Sequence, residues 1–269
     1  MLMQNSFQKD HWNDHAKQWS RIASPLRPSH EDTEIIQQAL EPGDGNYLLL
    51  GVTPEFASLP GSLVAIDHNA AMIRAVWPGN HSGRNAIQGD WLHLPFGEGA
   101  FDAVIGDGCL TLLSFPLQYE QLFSQLRGVL KSRGKVLVRV FASPDKAESC
   151  ADVCREAING KAGNFHAFKW RLAMAMTAES GEPNISVAEI HKLFNRLLPD
   201  REQLAKASGW DQKDIATIDV YHESSATYSF PTLSRLRQIF PRGLHETGLA
   251  HGSYELAERC PTLVLESCK

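Results

Sequence analysis

The 269-residue chain has no apolar run close to the roughly 20 residues that a helix needs to cross a bilayer. Its first residues, MLMQNSFQKDHWNDHAKQW, lack the apolar stretch of a secretory signal. It also lacks an excess of basic side chains, since 26 Lys and Arg face 31 Asp and Glu and the net charge is -5 at pH 7. Because duplex binding usually depends on a basic face, this balance disfavours nucleic acid as a partner. We therefore predict a soluble cytoplasmic protein.

The cysteines and histidines give no sign of a disulfide framework or of a structural metal site. The chain has 5 cysteines, an odd number, and no two of them form a C-x-x-C pair, which predicts free thiols in a reducing compartment. His11 and His15 would share one face of a helix, but no third ligand stands at a matching spacing. We predict no metal site.

The composition is that of an ordinary globular protein, with 43% hydrophobic and 21% charged residues. The length allows one large domain or two small ones. Since no repeat, low-complexity tract or linker divides the chain, we predict a single domain over residues 1–269.

Strand and helix patterns alternate through the first half of the chain. A polar-aromatic helix is predicted over 7–20, and Ser29 is placed to cap a helix over 31–40. Apolar runs then predict five strands and two intervening helices. The strands are 47–50, 63–66, 85–88, 101–105 and 135–141, and the helices are 70–76 and 119–129. This rhythm predicts a parallel sheet with helices on both faces.

The pattern becomes mainly helical after Pro144. Apolar periodicity predicts helices over 146–159, 166–179, 186–197 and 201–208. A sixth strand is predicted at 215–220, a helix at 231–240 and a final strand at 262–265.

Glycines and acids follow the ends of four predicted strands. They are Gly51, Asp67, the triplet Gly89-Asp90-Trp91 and the triplet Gly106-Asp107-Gly108. The carboxyl ends of parallel strands meet at one edge of a sheet, where open α/β folds bind ligands. A glycine turn permits close backbone approach, and a carboxylate at the next strand end can accept both hydroxyls of a ribose. The sequence therefore predicts a nucleotide-type site.

Two longer stretches make the prediction more specific. The segments GDWLHLPFGEGAFDAVIGDG and LRGVLKSRGKVLVRV resemble conserved stretches of the class I S-adenosylmethionine-dependent methyltransferases. This resemblance implies a Rossmann-like, doubly wound, mostly parallel seven-stranded sheet with an antiparallel last strand beside the sixth and a helical cap insertion. It implies an N-terminal helical arm (1–45), a cofactor-binding core (46–145), a cap (146–212) and final strands (213–269).

The resemblance also implies residue roles toward S-adenosylmethionine. Gly51, Val52 and Thr53 would meet the amino-acid end of the cofactor, and Asp67 would hold the ribose. His68, Asp90 and Trp91 would meet the adenine, Asp90 through its amino group and Trp91 through a flat ring face.

Three further residues are candidates with weaker support. Gly106 and Asp107 would lie beneath the sulfonium, Asp107 meeting the cofactor's ammonium or the acceptor, and Arg27 would meet the cofactor's carboxylate. Structural roles without a ligand remain alternatives for these candidates. Asp67 would then cap a helix, Asp90 would be a turn acid beside a core Trp91, and Arg27 would lie on a surface helix.

The turn after the first strand departs from the family. The usual motif is DxGxGxG, whereas this chain has LLLGVTPEF, in which Pro54 removes one backbone donor. Either cofactor binds through a turn of different chemistry, with the Thr53 hydroxyl compensating, or the fold serves as a non-catalytic binding or regulatory protein. A nicotinamide-dependent dehydrogenase is a third possibility, but the turn lacks G-x-G-x-x-G.

Methyl transfer to a small-molecule acceptor is the predicted function. No residue is predicted as a catalytic base, and the sequence does not give the acceptor or the oligomeric state. Candidates for the acceptor site are His166, Trp170, Tyr221 and His222.

Overall fold

The computed structural model describes residues 19–40 and 43–268. In this part of the chain the strands are β1 (Asn46–Leu50), β2 (Ser62–Asp67), β3 (Arg84–Gln88), β4 (Phe101–Asp107), β5 (Leu130–Arg139), β6 (Asn184–Ser186), β7 (Thr227–Ser229), β8 (Leu244–Ala250) and β9 (Thr262–Ser267). Seven of them form one sheet in the order β3-β2-β1-β4-β5-β9-β8. Strands β1 to β5 pair in parallel, and β9 pairs antiparallel with both β5 and β8. The predicted α/β fold, with its last strand antiparallel and beside the sixth, is confirmed.

The helices are α1 (His30–Ala39), α2 (Ala70–Val76), α3 (Leu117–Val129), α4 (Cys150–Ile158), α5 (Phe165–Ser180), α6 (Val187–Leu197), α7 (Arg201–Ser208), α8 (Gln212–Ile215) and α9 (Leu233–Arg237). The 3-10 helices are Trp19–Arg21, Pro54–Ser58, Cys109–Leu112, Ala216–Tyr221 and Ala257–Arg259. Apart from its end at Trp19, the helix predicted over 7–20 lies outside the described residues.

The central strands are buried on both faces because their side chains alternate between two apolar layers. On β1, Leu48 and Leu50 pack with side chains of α3 such as Leu122. Tyr47 and Leu49 face the other way and pack with α1 and α2. The strands are therefore held in register, with their carboxyl ends at one edge.

Residues 150–229, which we call the cap, have a core of their own. Helix α5 lies at its centre, with Phe165, Phe168 and Leu172 among the buried side chains. The short strands β6 and β7 pair within the cap, and Phe141 joins its core from the end of β5. Helix α4 begins later than predicted because the Ser149 side chain accepts the Asp152 amide and caps it.

The strand predicted at 215–220 is wrong. The chain there forms α8 and the 3-10 helix Ala216–Tyr221. Ile215, Ile218 and Tyr221 are fully buried, and a spacing of three places them on one side of a 3-10 helix. The sixth strand of the seven-stranded sheet, counted along the chain, is instead β8. It lies at the edge of the sheet, and after the buried Leu244 its residues are alternately exposed and half-buried. Its polar sequence, LHETGLA, gave no apolar run to detect.

Two further observations concern the cysteines and the helix lengths in the described residues. All five cysteines are free thiols. No helix within 19–40 or 43–268 is both long enough and apolar enough to cross a membrane.

Replacing Ser29 with alanine is expected to lower the free energy of unfolding by about 1 kcal/mol. Ser29 forms a capping box, in which its Oγ accepts the Asp32 amide (3.2 Å) and the Ser29 amide donates to Asp32 Oδ2 (2.8 Å). Alanine removes the acceptor for the Asp32 amide. Urea unfolding measures the change, with the exposed turn variant Ser82→Ala as control; equal stability of the two variants would show that the cap contributes nothing.

Candidate functional site

A cavity opens at the carboxyl ends of the parallel strands, beneath the cap. Ligand sites of such sheets occur at this edge. The described lining residues are Trp19, Ile22, Leu26, Leu50, Gly51, Val52, Thr53, Asp67, His68, Met72, Trp91, Asp107, Gly108, Cys109, Thr111, Leu112, Phe141, Trp170, Tyr221 and Tyr228. Seven of the ten predicted cofactor residues are therefore brought together here.

The turn after β1 leaves space at Gly51. Its φ is +93°, a conformation that favours glycine, and its amide donates to the Ile66 carbonyl oxygen (2.8 Å). A Cβ at this position would lie 3.9 Å from the Trp91 ring and 4.0 Å from Asp67 Oδ2, so it would fill the space between them. Val52 and Thr53 are buried behind it. The single glycine thus keeps open the region between the predicted ribose and adenine residues.

Asp67 ends β2 with its carboxylate at the cavity wall. The residue is 8% exposed, and Oδ1 accepts the Asn69 amide (2.8 Å). Burial raises the pKa of this carboxyl group, while the Asn69 amide lowers it. The side chain that caps α2 is that of Asn69, which accepts the Ala71 and Met72 amides. Asp67 therefore does not serve as that cap, and its Oδ2 lies on the side of Gly51.

Trp91 forms a rigid wall. Its indole nitrogen donates to the Ile66 carbonyl oxygen (2.7 Å), and the ring is 7% exposed. The half-exposed His68 stands edge-on to it, with ring centroids 6.4 Å apart. The rings of Trp91 and His68 also line a second cavity, together with Asp90, Leu112 and Tyr228.

Asp90 lies in that second cavity rather than the main one. Its Oδ1 accepts the Leu92 amide (2.9 Å), and its Oδ2 contacts His93 Nδ1 (2.8 Å). The hydrogen bonds from His93 and Leu92 outweigh partial burial and lower the pKa of Asp90. The carboxylate is thus ionised in a local turn at the rim of the predicted adenine region.

The predicted residues after β4 differ in placement. Gly106 lies inside the sheet, where a Cβ would fall 2.6 Å from Cys109 Sγ, and it does not line the cavity. Asp107 does line the cavity. Gly108 has φ +59° and a Cβ there would collide with Phe141 (2.5 Å), so close packing explains this glycine.

Asp107 is bound to a buried arginine that the sequence did not suggest. Arg139 Nε donates to Asp107 Oδ1 (2.5 Å), and Nη1 donates to the Tyr254 hydroxyl (3.0 Å) and lies 4.0 Å from Asp32 Oδ2. Burial raises the pKa of Asp107 in spite of the Arg139 charge. The carboxyl groups of Asp107 and Asp32 thus lie around one guanidinium, that of Arg139, beneath the cavity.

Arg27 lies outside the cavity lining. It donates to Glu55 Oε1, and its guanidinium lies 5.6 Å from the centre of the Trp19 ring. Trp19, Ile22 and Leu26 of the same segment do line the cavity. In this structure Arg27 therefore joins the N-terminal segment to the 3-10 helix that follows Thr53.

Two of the four acceptor candidates reach the cavity. Trp170 and Tyr221 line it, together with Tyr228 and Phe141, which sequence reasoning missed. His166 is buried and contacts the Arg21 carbonyl oxygen (3.0 Å), and its pKa is lowered to about 4, mainly by burial. His222 packs against His191 away from the cavity. No cluster of three potential metal ligands occurs within residues 19–40 and 43–268.

Residues 43–138 match the family model of a methyltransferase domain. A demethylmenaquinone methyltransferase of Corynebacterium urealyticum is 29% identical over 166 residues, which cover 59% of this chain and 62% of that protein. The chain thus spans less than two thirds of that relative's length.

Solved structures share the fold across almost the whole chain. The N-methyltransferase NodS of Bradyrhizobium japonicum, solved with S-adenosyl-L-homocysteine, superposes with a TM-score of 0.56 at 12% identity, covering 98% of this chain and 100% of NodS. A Rhodobacter sphaeroides protein described as a Zn-dependent alcohol dehydrogenase gives a TM-score of 0.61 at 12% identity, and the match covers 99% of this chain and 98% of that protein. At these identities the likeness concerns the fold alone.

Proposed function

We propose that the protein transfers a methyl group from S-adenosylmethionine to a small-molecule acceptor, because residues 43–138 match the model of a methyltransferase domain. The observation that carries the proposal is the convergence of Gly51, Asp67 and Trp91 on one cavity at the carboxyl ends of the strands. The Corynebacterium relative is named for a small-molecule substrate, which supports the same class of acceptor.

The residues of the cavity fit this cofactor. Asp67 would accept the two ribose hydroxyls, and Trp91 and His68 would contact the adenine, with Asp90 accepting its amino group at the rim. The turn of Gly51, Val52 and Thr53 would hold the amino-acid end. When bound, the cofactor supplies an electrophilic methyl group on its sulfonium.

The remaining task of the protein is alignment. The cap and the segment from Trp19 to Leu26 would close over the site, exclude water and hold the acceptor in line with the methyl carbon. Asp107, kept in place by Arg139, would offer negative charge toward the cofactor's ammonium. In this proposal Arg27 keeps Trp19 over the cavity while it pairs with Glu55, and it would meet the cofactor's carboxylate only after leaving Glu55.

A non-catalytic binding protein is the second candidate, favoured by Val52-Thr53-Pro54 in place of flexible glycines. Calorimetric titration with S-adenosylmethionine and S-adenosylhomocysteine tests cofactor binding. We expect both to bind, and a ligand at about 100 times its Kd to stabilise the fold by about 2.7 kcal/mol. NAD serves as the control and should give no heat. Absence of both heat and thermal stabilisation at millimolar ligand would contradict the methyltransferase proposal, and binding without turnover of any acceptor would favour the second candidate.

A further inference from the structure

The wall of the main cavity carries polar side chains that have no hydrogen-bond partner among the described residues. One is Thr111, whose hydroxyl makes no hydrogen bond to the protein. Thr111 is 1% exposed, and its side-chain oxygen is not enclosed by protein atoms, so the small area that the residue exposes lies on the cavity wall. Another is Trp170, whose indole nitrogen is enclosed and also lacks a partner. A bound molecule could supply the missing partners.

Thr111 and Trp170 lie at the same end of the cavity. Thr111 belongs to the 3-10 helix Cys109–Leu112, which follows β4 and contacts β7 of the cap. Trp170 stands edge-on to Tyr228 of β7, with ring centroids 5.3 Å apart, and edge-on to Phe141 at 5.4 Å. Strand β7 therefore lies beside both residues, on the side of the cavity where the core meets the cap.

The position of Thr111 is fixed by contacts between the core and the cap. The Ser229 hydroxyl of β7 donates to the Leu113 carbonyl oxygen (2.6 Å). Asn184 of β6 exchanges hydrogen bonds with the Phe115 backbone, donating to its carbonyl oxygen (2.8 Å) and accepting from its amide (3.0 Å). Because the segment after Thr111 is already ordered, its hydroxyl can orient a ligand without a further cost of ordering.

The chemistry of these two side chains determines what a bound molecule must offer. An indole N–H can only donate a hydrogen bond, and a threonine hydroxyl can donate as well as accept. When a ligand displaces water from a cavity, a polar group that is left without a partner weakens binding. The ligand group that matches both residues is therefore a hydrogen-bond acceptor, such as a carbonyl oxygen.

The charges of the cavity wall indicate that this molecule is neutral. No lysine or arginine is among the described residues that line the cavity. Its acidic side chains are Asp67 and Asp107, both of which the proposed function assigns to the cofactor. Arg139 lies beneath the wall and is already paired with Asp107. An anionic acceptor would thus find no free cation, whereas the neighbouring Leu112 and Phe141 suit a neutral, apolar body.

We propose that the methyl acceptor is a neutral, largely apolar carbonyl compound, whose oxygen accepts a hydrogen bond from the Thr111 hydroxyl, with the Trp170 N–H as a second donor. This inference rests on the proposed methyl transfer and deepens it by naming the class of acceptor. In this scheme Thr111 orients the acceptor and selects for its carbonyl group.

The first test uses three probes of similar shape. They are acetophenone, α-methylstyrene, which has a methylene group in place of the carbonyl oxygen, and the anion benzoate. Calorimetry measures their binding to the full chain saturated with S-adenosylhomocysteine, and we expect acetophenone to bind more tightly than benzoate. Thr111→Val keeps the side-chain shape without the hydroxyl, so it should lower the ratio of acetophenone to α-methylstyrene affinity about fivefold. Thr111→Ser keeps the hydroxyl and should preserve the ratio.

Saturation with S-adenosylhomocysteine separates this proposal from the one on which it rests. Failure to bind S-adenosylhomocysteine overturns the proposed function itself. If it binds, the acceptor class alone is wrong when no probe binds, when benzoate binds most tightly, or when Thr111→Val leaves the ratio unchanged. Thr247→Val is the matched control, since it changes an exposed threonine of β8 outside the cavity lining. A fall of the ratio in this control as well would also overturn the role of Thr111.

The second test observes the hydrogen bond itself. Infrared difference spectra give the carbonyl stretching frequency of bound acetophenone that is isotopically labelled at its carbonyl carbon. A hydrogen bond to the oxygen lowers this frequency, so we expect it to be lower in wild type and Thr111→Ser than in Thr111→Val. Trp170→Phe keeps an aromatic ring without the N–H and should raise it as well. Equal frequencies in wild type and Thr111→Val would overturn the proposal, and an unchanged frequency in Trp170→Phe would overturn the role of Trp170.

Discussion

Replacing Asp67 with alanine is expected to weaken S-adenosylhomocysteine binding by about 1–3 kcal/mol, roughly 5- to 150-fold. In the proposed complex both ribose hydroxyls donate to this carboxylate, and alanine removes both charge-assisted bonds. The helix that follows should not be affected, because its N-terminal amides are held by Asn69. Calorimetry at pH 8 measures the change.

The binding should also depend on pH through Asp67. Burial raises the pKa of this carboxyl group, and its ionised form accepts both hydroxyls more strongly. The wild-type affinity should therefore fall as the pH is lowered through that raised pKa, while Asp67→Ala should not show this component. The stability of the ligand-free protein should depend on pH in the opposite direction. Because burial favours the protonated acid, the stabilising contribution of Asp67 is present at low pH and is lost as the pH rises through the raised pKa.

The control for this experiment is Asp44→Ala. Asp44 is an exposed acid just before β1, at the opposite edge of the sheet from the cavity. The Asp44→Ala substitution makes the same change in charge and should leave the affinity for S-adenosylhomocysteine unchanged. Equal affinities of the Asp67 variant and the wild type would mean that Asp67 does not hold the ribose.

The sheet was predictable from the sequence mainly because its central parallel strands, β1, β2, β4 and β5, are largely buried. Strands such as β1 and β4 read as apolar runs bounded by glycine or acid, and their alternation with helices predicted a parallel sheet. The antiparallel last strand was implied only by the family resemblance. The edge strand β8 was not predictable in this way, since one face is solvated and Glu246 pairs with Arg237 there. The 3-10 helix at Ala216–Tyr221 was misread because a short apolar run gives no period long enough to separate strand from helix.

The cofactor side of the site followed from residue type and position at strand ends. Asp67 and Trp91 stand where the strand register places them, so a sequence pattern suffices to bring them together. The cap side could not be predicted in the same way. Phe141 and Tyr228 meet Trp170 through contacts between distant segments, and those contacts have no local signature.

The buried charged side chains were the main feature that could not be predicted from the sequence. Lys169 stands in the apolar stretch FHAFKWRLAMAM, and this setting was the available signal that its amine is enclosed. Arg139 follows the buried apolar run of residues 136–138 at the end of β5, and nothing nearby in sequence marks its partners Asp107, Asp32 and Tyr254. Charges of this kind are informative because enclosing them is costly unless a partner or ligand compensates.

The Arg139 side chain links the cavity to the rest of the fold. It is 0% exposed and connects Asp107 at the end of β4, Asp32 in the first turn of α1 and Tyr254 before β9. The attraction of both carboxylates raises its pKa above the usual range for arginine despite burial. The Arg139 guanidinium is therefore charged at neutral pH.

Replacing Arg139 with methionine is expected to lower the free energy of unfolding by about 3–5 kcal/mol, the usual effect of removing one partner of a buried ion pair. Methionine keeps much of the apolar stem but leaves Asp107 and Asp32 buried without their cation. Urea unfolding measures the loss, and Arg74→Met, which changes an exposed arginine of α2, is the matched control.

The cause of the loss can be separated from packing by a second substitution. If uncompensated charge is responsible, Arg139→Met with Asp107→Asn should be more stable than Arg139→Met alone, because the amide carries no charge to solvate. The gap between wild type and Arg139→Met should also widen as the pH rises above the raised pKa that Asp107 has beside Arg139. Without the guanidinium the acid stays protonated to a still higher pH, so in that range deprotonation destabilises only the variant. A double variant no more stable than the single one, with a gap that does not change with pH, would instead assign the loss to packing around the stem. Rescue by Asp107→Asn would establish that the charge of Arg139 holds Asp107 ionised at the wall of the cavity, where the proposed ammonium contact requires it.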